Sequence, residues 1–170
     1  MPQWADFSRI PSCRGLEDRL RAAVELYPCD VLFVHRDSEG QEPALRRNEI
    51  AGALRQIRIR HIPVVPVRMT EAWLLADEMA IRSAAGNPNG REELNLPDIR
   101  RLEDVPDPKR VLRDALTRAT GLNARRRSSF PVSRRVRMIA NYVDDYSGLN
   151  VLPAFRALQQ DIRAFVTSLK

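Results

Sequence analysis

Hydrophobic and polar positions alternate in blocks that predict helices and strands by turns over the first half of the chain. In "GLEDRLRAAVELYP" (15–28), Leu16, Leu20, Val24 and Tyr27 recur at helical spacing, and Pro28 stops the pattern. "DVLFVHR" (30–36) is a continuous apolar run between polar flanks, as in a central parallel strand covered on both faces. The next helix is predicted over 42–59. Pro43 suits its first turn, and Leu45, Ile50, Leu54 and Ile57 lie near one face. "HIPVVPVRM" (61–69) reads as a second strand. Pro63 and Pro66 have no N–H for a ladder and argue for an edge or for strand ends. "TEAWLLADEMAIRSAAG" (70–86) reads as one helix with Thr70 as N-cap, Gly86 as C-cap and Trp73, Leu74 and Leu75 in the core.

Strand, helix, strand, helix is the order of a βαβ unit and predicts an α/β fold with right-handed crossovers. After Gly86 the pattern changes. Residues 87–110 are polar and rich in Pro and Asn, which predicts an extended excursion. A helix follows, with Asp107 as cap and Pro108 in its first position. "SRRVRMIANYVDDY" (133–146) predicts a basic helix, and "LPAFRALQQDIRAFVTSL" (152–169) a final amphipathic one. The expectation is a single domain over 1–170. Its βαβα core spans 28–86, and a helical extension spans 87–170.

Composition adds limits. A chain of 170 residues is long enough to bury a core without disulfides or metal staples. No apolar run reaches the roughly 20 residues that cross a bilayer, and the start "MPQWADFSRI" lacks the pattern of a secretory signal. Cys13 and Cys29 then read as free thiols of a cytoplasmic protein. No Cys/His cluster has zinc spacing, since His35 and His61 are the only histidines. His61 carries no signal. His35, inside a strand and beside acids, reads as a satisfied buried histidine or as a catalytic one.

The net charge of +6 is local. Arg125, Arg126, Arg127, Arg134, Arg135 and Arg137 lie within 123–138, where there is no acid; without them the chain has 22 basic and 22 acidic residues. Guanidinium forks donate to two phosphate oxygens at once, so such a cluster is a candidate for nucleic-acid backbone. The alternative is a solvated basic face.

Ligands of open parallel sheets sit beyond the carboxyl ends of the strands. Asp37 and Glu39 follow the first strand, and Glu71 follows the second. If these acids converge, a divalent ion such as Mg²⁺ would relieve their repulsion, hold a phosphate and activate a water. Arg36 and Arg68, each near an acid, would pair with carboxylates or reach a phosphate, and Lys109 in a first helical turn is an anion candidate. Each acid also has a structural reading. Asp37 with Gly40 makes an Asx-type turn, Glu39 is a loop acid, and Glu71 complements a helix dipole.

The blocks "LFVHRDSEG", "VVPVRMTEAWLLAD", "LEDVPDPKRVL" and "LPAFRAL" resemble a bacterial family related to Toprim-like nucleases. Relatives of that kind occur beside or fused to ATPases in phage-defence gene clusters. The resemblance runs from about Cys29 onward. It implies a Toprim-like parallel-sheet core, with Mg²⁺ bound by acids, that cuts nucleic-acid phosphodiesters. Asp37 then matches the first acid of an Asp-x-Asp pair, Glu39 takes the place of the second, and Glu71 matches the acid of the "EAWLL" block. Toprim domains begin with a strand ending in glutamate, which the residues before Gly15 do not provide. Either the chain is a shortened version, or its start lies further upstream, or Glu71 supplies that acid. The expected function is a Mg²⁺-dependent nuclease or phosphodiester hydrolase acting as a defence effector. The alternative is a non-catalytic subunit that binds nucleic acid or an ATPase partner.

Overall fold

The computed structural model describes residues 3–6, 8 and 14–169. Its elements in chain order are α1 (Leu16–Leu26), β1 (Leu32–His35), α2 (Pro43–Ala53), β2 (His61–Val64), α3 (Glu71–Leu74), α4 (Glu78–Ala85), α5 (Pro108–Ala119), α6 (Ala124–Arg127), α7 (Val132–Val136) and α8 (Pro153–Thr167). Short 3-10 turns cover Ile99–Asp104, Ile139–Tyr142 and Ser147–Val151. The chain is mixed α/β and about 53 % helical, so helix rather than sheet carries most of the fold. Among the described residues, no helix is long and apolar enough to cross a membrane.

These elements form two compact units, residues 1–65 with 157–170, and residues 66–156. The division falls after β2 and again within α8, not at Gly86. In the first unit, β1 and β2 form a two-stranded parallel sheet, with Leu32 beside His61 and His35 beside Val64. Its core is Leu20 of α1, Val34, Ile50 of α2, Leu54 and Val65. The second unit packs Leu75, Ile81, Leu102, Leu112, Leu116, Ile139 and Leu152 into one larger core. The excursion after Gly86 joins it. Leu94 and Leu102 are buried, and the Asn87 side chain donates to the Ala119 carbonyl at 2.9 Å.

Most predicted elements are present, with four corrections. β1 is not covered on both faces: Val34 is buried, while Phe33 and His35 on the other face are exposed. The continuous apolar run hides this alternation, and a buried His35 is ruled out by the same geometry. Leu45 lies on α2 but is exposed, because the core contact of this segment moves to Ile50 and Leu54. The helix predicted over 70–86 splits into α3 and α4. Asp77 adopts an extended conformation and its carboxylate accepts from the Ala80 amide at 2.8 Å, so it starts a new helix. Thr70 has helical backbone angles and makes no side-chain cap bond, whereas Gly86 closes α4 in the left-handed conformation, φ 79°. The basic helix predicted over 133–146 is a five-residue α7 followed by a 3-10 turn. Asp107 and Pro108 cap and open α5 as expected, with the Asp107 carboxylate accepting from the Arg110 amide at 2.9 Å.

Candidate functional site

The turn after β1 has its own geometry. Ser38 is fully buried, and its carbonyl accepts from the Gln41 amide at 2.8 Å. Between them Glu39 and Gly40 both take positive φ, 55° and 79°. Two successive left-handed residues mark a tight primed turn. Gly40 adopts that region freely, whereas a side chain there costs about 1–2 kcal/mol. The turn is closed by the backbone bond from Gln41 to Ser38.

Asp37 sits just before this turn. Its Oδ1 lies 3.0 Å from Nε2 of His35. Glu39 points its carboxylate into solvent, with side-chain exposure of 73 % and Arg46 3.7 Å away. The first unit also has an ionic contact at a residue that sequence reasoning missed. Glu49 on α2 accepts from Arg36 at 2.9 Å and from Arg46 at 2.9 Å. Burial pushes the Glu49 carboxyl up, but bonds and charges from Arg46 and Arg36 outweigh it and hold the group below the ordinary glutamate range. Arg46 also donates to the Asp37 carbonyl at 3.2 Å, tying α2 to the strand end. The i,i+3 spacing of Arg46 and Glu49 was the signal available in the sequence.

Glu71 lies in the first turn of α3, half-buried, and belongs to the second unit, whereas Asp37 and Glu39 belong to the first. Among the described residues, no group of three or more His, Cys, Asp or Glu side chains is arranged to hold a metal ion. Asp37 faces His35 at 3.0 Å and Glu39 faces Arg46 at 3.7 Å.

The cations divide into engaged and unengaged groups. Arg36 is occupied by Glu49. Arg68 is half-buried, and its Nε is buried without a hydrogen-bond partner among the described residues. Lys109 is exposed at the start of α5. The arginine segment forms two single helical turns. Asn123 caps α6 by accepting from the Arg126 amide at 3.1 Å, and Pro131 precedes α7. Arg127 folds back to the Leu122 carbonyl at 2.9 Å, and Arg135 donates to the Ala84 carbonyl at 3.2 Å. Arg125, Arg126, Arg134 and Arg137 are exposed, and among the described residues none has a carboxylate within ion-pairing distance.

Two further features belong to the first unit. An open cleft of about 630 Å³ in the first unit is lined by Arg47, Arg60, His61, Asp161 and Phe165, among others. Arg47 bonds Asp161 at 2.7 Å there, and the Arg60 guanidinium lies over the Phe165 ring at 5.5 Å. Cys29 is an exposed free thiol, and Cys13 lies outside the described residues.

Comparison with protein-family models, with curated proteins and with solved structures finds no match to this chain.

Proposed function

We propose that this protein binds nucleic acid through its phosphate backbone, using the arginine segment of 123–138. One observation carries the reading. Four exposed arginines, Arg125, Arg126, Arg134 and Arg137, stand close together in sequence with no acid paired to them among the described residues. Surface guanidiniums are usually laced with carboxylates when their role is only solubility. Arg127 and Arg135 are fixed to backbone carbonyls, which anchors the segment. Backbone contacts of this kind set affinity and position, and carry no base sequence.

The resemblance to Toprim-like nucleases extends this to Mg²⁺-dependent phosphodiester cleavage, with Asp37, Glu39 and Glu71 as the acids. Cleavage rests on that resemblance alone. Arg68, three residues before Glu71, has a buried Nε with no hydrogen-bond partner among the described residues, and a phosphate would supply one.

A single experiment separates the readings. Fluorescence anisotropy with single- and double-stranded oligonucleotides measures binding, and gel analysis of the same samples with Mg²⁺ or EDTA measures cleavage. The proposal expects binding that weakens as salt rises. Cleavage that needs Mg²⁺ and fails in Asp37→Ala and Glu71→Ala supports the nuclease extension. Binding without cleavage leaves a non-catalytic subunit. Absence of binding to either oligonucleotide at low salt overturns the proposal and favours an acidic protein partner such as an ATPase.

A further inference from the structure

The second unit carries a short aromatic stack that ends at the surface. The Trp73 ring meets Phe155 edge-on with centroids 5.3 Å apart, and Phe155 in turn faces Tyr146 at 6.4 Å with the planes inclined by 18°. Phe155 is buried, whereas Tyr146 is 42 % exposed. One face of the Tyr146 ring therefore rests on Phe155 and the opposite face meets solvent. A long hydrogen bond, 3.5 Å from the Tyr146 hydroxyl to the Ala140 carbonyl, also holds the ring. Ala140 lies in the 3-10 turn that continues α7. There the Met138 amide donates to the Arg135 carbonyl and the Asn141 amide to the Met138 carbonyl, both at 3.0 Å. Arg137 precedes Ala140 by one such turn, about 6 Å along the axis. The held ring and the exposed arginines of this segment are thus neighbours within one unit.

We propose that the nucleic acid bound by the arginine segment is single-stranded, with one base stacked on the open face of Tyr146 and the neighbouring phosphates held by Arg134 and Arg137, an inference that rests on the reading of 123–138 as a phosphate-binding segment. Cations beside a stacking ring bind single strands without reading sequence, since every base has a π-face. A duplex offers no free base face, because its bases already stack on one another. Reading a duplex from its major groove takes a helix or a strand pair that enters the groove, and α6 and α7 are single turns of four and five residues. A ring already fixed on Phe155 loses little rotamer freedom when a base arrives. Asp144 and Asp145, both exposed, immediately precede Tyr146, and Asp145 accepts from the Ser147 amide at 2.7 Å. Like charge keeps phosphates off these two acids, so the strand's backbone runs toward α7.

Fluorescence anisotropy on the full chain compares four probes of equal length: oligo(dT), oligo(U), an oligo(dT) made wholly of abasic sites, and a dA·dT duplex. A duplex carries more phosphate per unit length, so charge alone favours it. Stacking predicts the reverse, with the dT or U strand bound more tightly than the duplex. The abasic strand keeps every phosphate, and the parent should bind it roughly 5- to 150-fold more weakly than oligo(dT), the range for one stacked base. Tyr146→Leu keeps an apolar side chain against Phe155 and removes the ring. It should lose the same factor on oligo(dT), bind the abasic strand as the parent does, and keep the parent's salt slope, because no phosphate contact is lost. Tyr146→Phe should bind as the parent does, and so should Phe33→Ala, which removes an exposed ring of the first unit. The abasic comparison is made on the parent chain, so it stands even if Tyr146→Leu fails to fold. Equal affinity of the parent for intact and abasic strands, tighter binding to the duplex, or unchanged affinity in a folded Tyr146→Leu would overturn the stacking. Salt-dependent binding in those cases would leave the arginine reading in place, whereas no binding to any probe would overturn both.

Discussion

Glu39 and Glu103 show how single side chains are placed against their own preference. Glu39 holds φ at 55° at the tip of the turn after β1, where glycine would be free of strain. Glu39→Gly relieves that strain and loses some chain entropy on folding, so a net gain of about 0.5–1 kcal/mol is expected in urea denaturation. A loss of stability would show that the Arg46 contact matters more than the backbone. Glu103, in the second unit, is pushed above the ordinary glutamate range. Burial is the main cause and Asp104 adds to it, against the Ala154 amide, Trp73 and Arg156. The folded state then holds its proton more tightly than the unfolded chain does. Stability contributed by this group is therefore full below the unfolded value and falls as pH rises through the folded one. Glu103→Gln keeps an oxygen for the Ala154 amide and removes the charge. Its stability relative to the parent should be higher near neutral pH than at acidic pH, as read by thermal unfolding at both. The turn at Ser38 to Gln41 is visible in the sequence as "DSEG", but which residue takes the strained position is not. That choice depends on Ser38 being buried, which is a tertiary fact.

Elements are legible in the sequence where the local chemistry is strong. Asp107 before Pro108 fixes the start of α5, and Gly86 fixes the end of α4, because cap and turn preferences act within a few residues. The break between α3 and α4 is hidden because Asp77 lies inside an otherwise helical apolar pattern, and only its bond to Ala80 shows it acting as a cap. Asp77→Ala should cost about 1 kcal/mol of stability in chemical denaturation. An unchanged midpoint would mean that packing of Ile81 and Ala84 alone holds α4. β1 reads as a doubly covered strand because an unbroken apolar run does not say which neighbours lie on which face. The exposed Phe33 is the part of the run that has no cover. The three acids are expected to meet because they follow strand ends. In the structure, Asp37 and Glu39 belong to the first unit and Glu71 to the second.

At the scale of the whole molecule, the charge distribution is the most direct message of the sequence. Balanced elsewhere, the chain concentrates its basic excess in 123–138, and the structure leaves four of those arginines exposed and unpaired among the described residues. The fold class is legible as α/β, but the extent of the sheet is not. The order of strand and helix predicts parallel pairing, which β1 and β2 show, and cannot say how many strands join. The central claim is that the unpaired arginines bind phosphates. Its most direct measurement is the salt dependence of oligonucleotide binding for the parent chain and for a variant with Arg125, Arg126, Arg134 and Arg137 all changed to Gln. The account predicts a linear fall of log affinity with log salt, and a slope shallower in the variant by roughly 0.9 for each duplex phosphate that the variant no longer neutralises. An identical slope in the two proteins would contradict it.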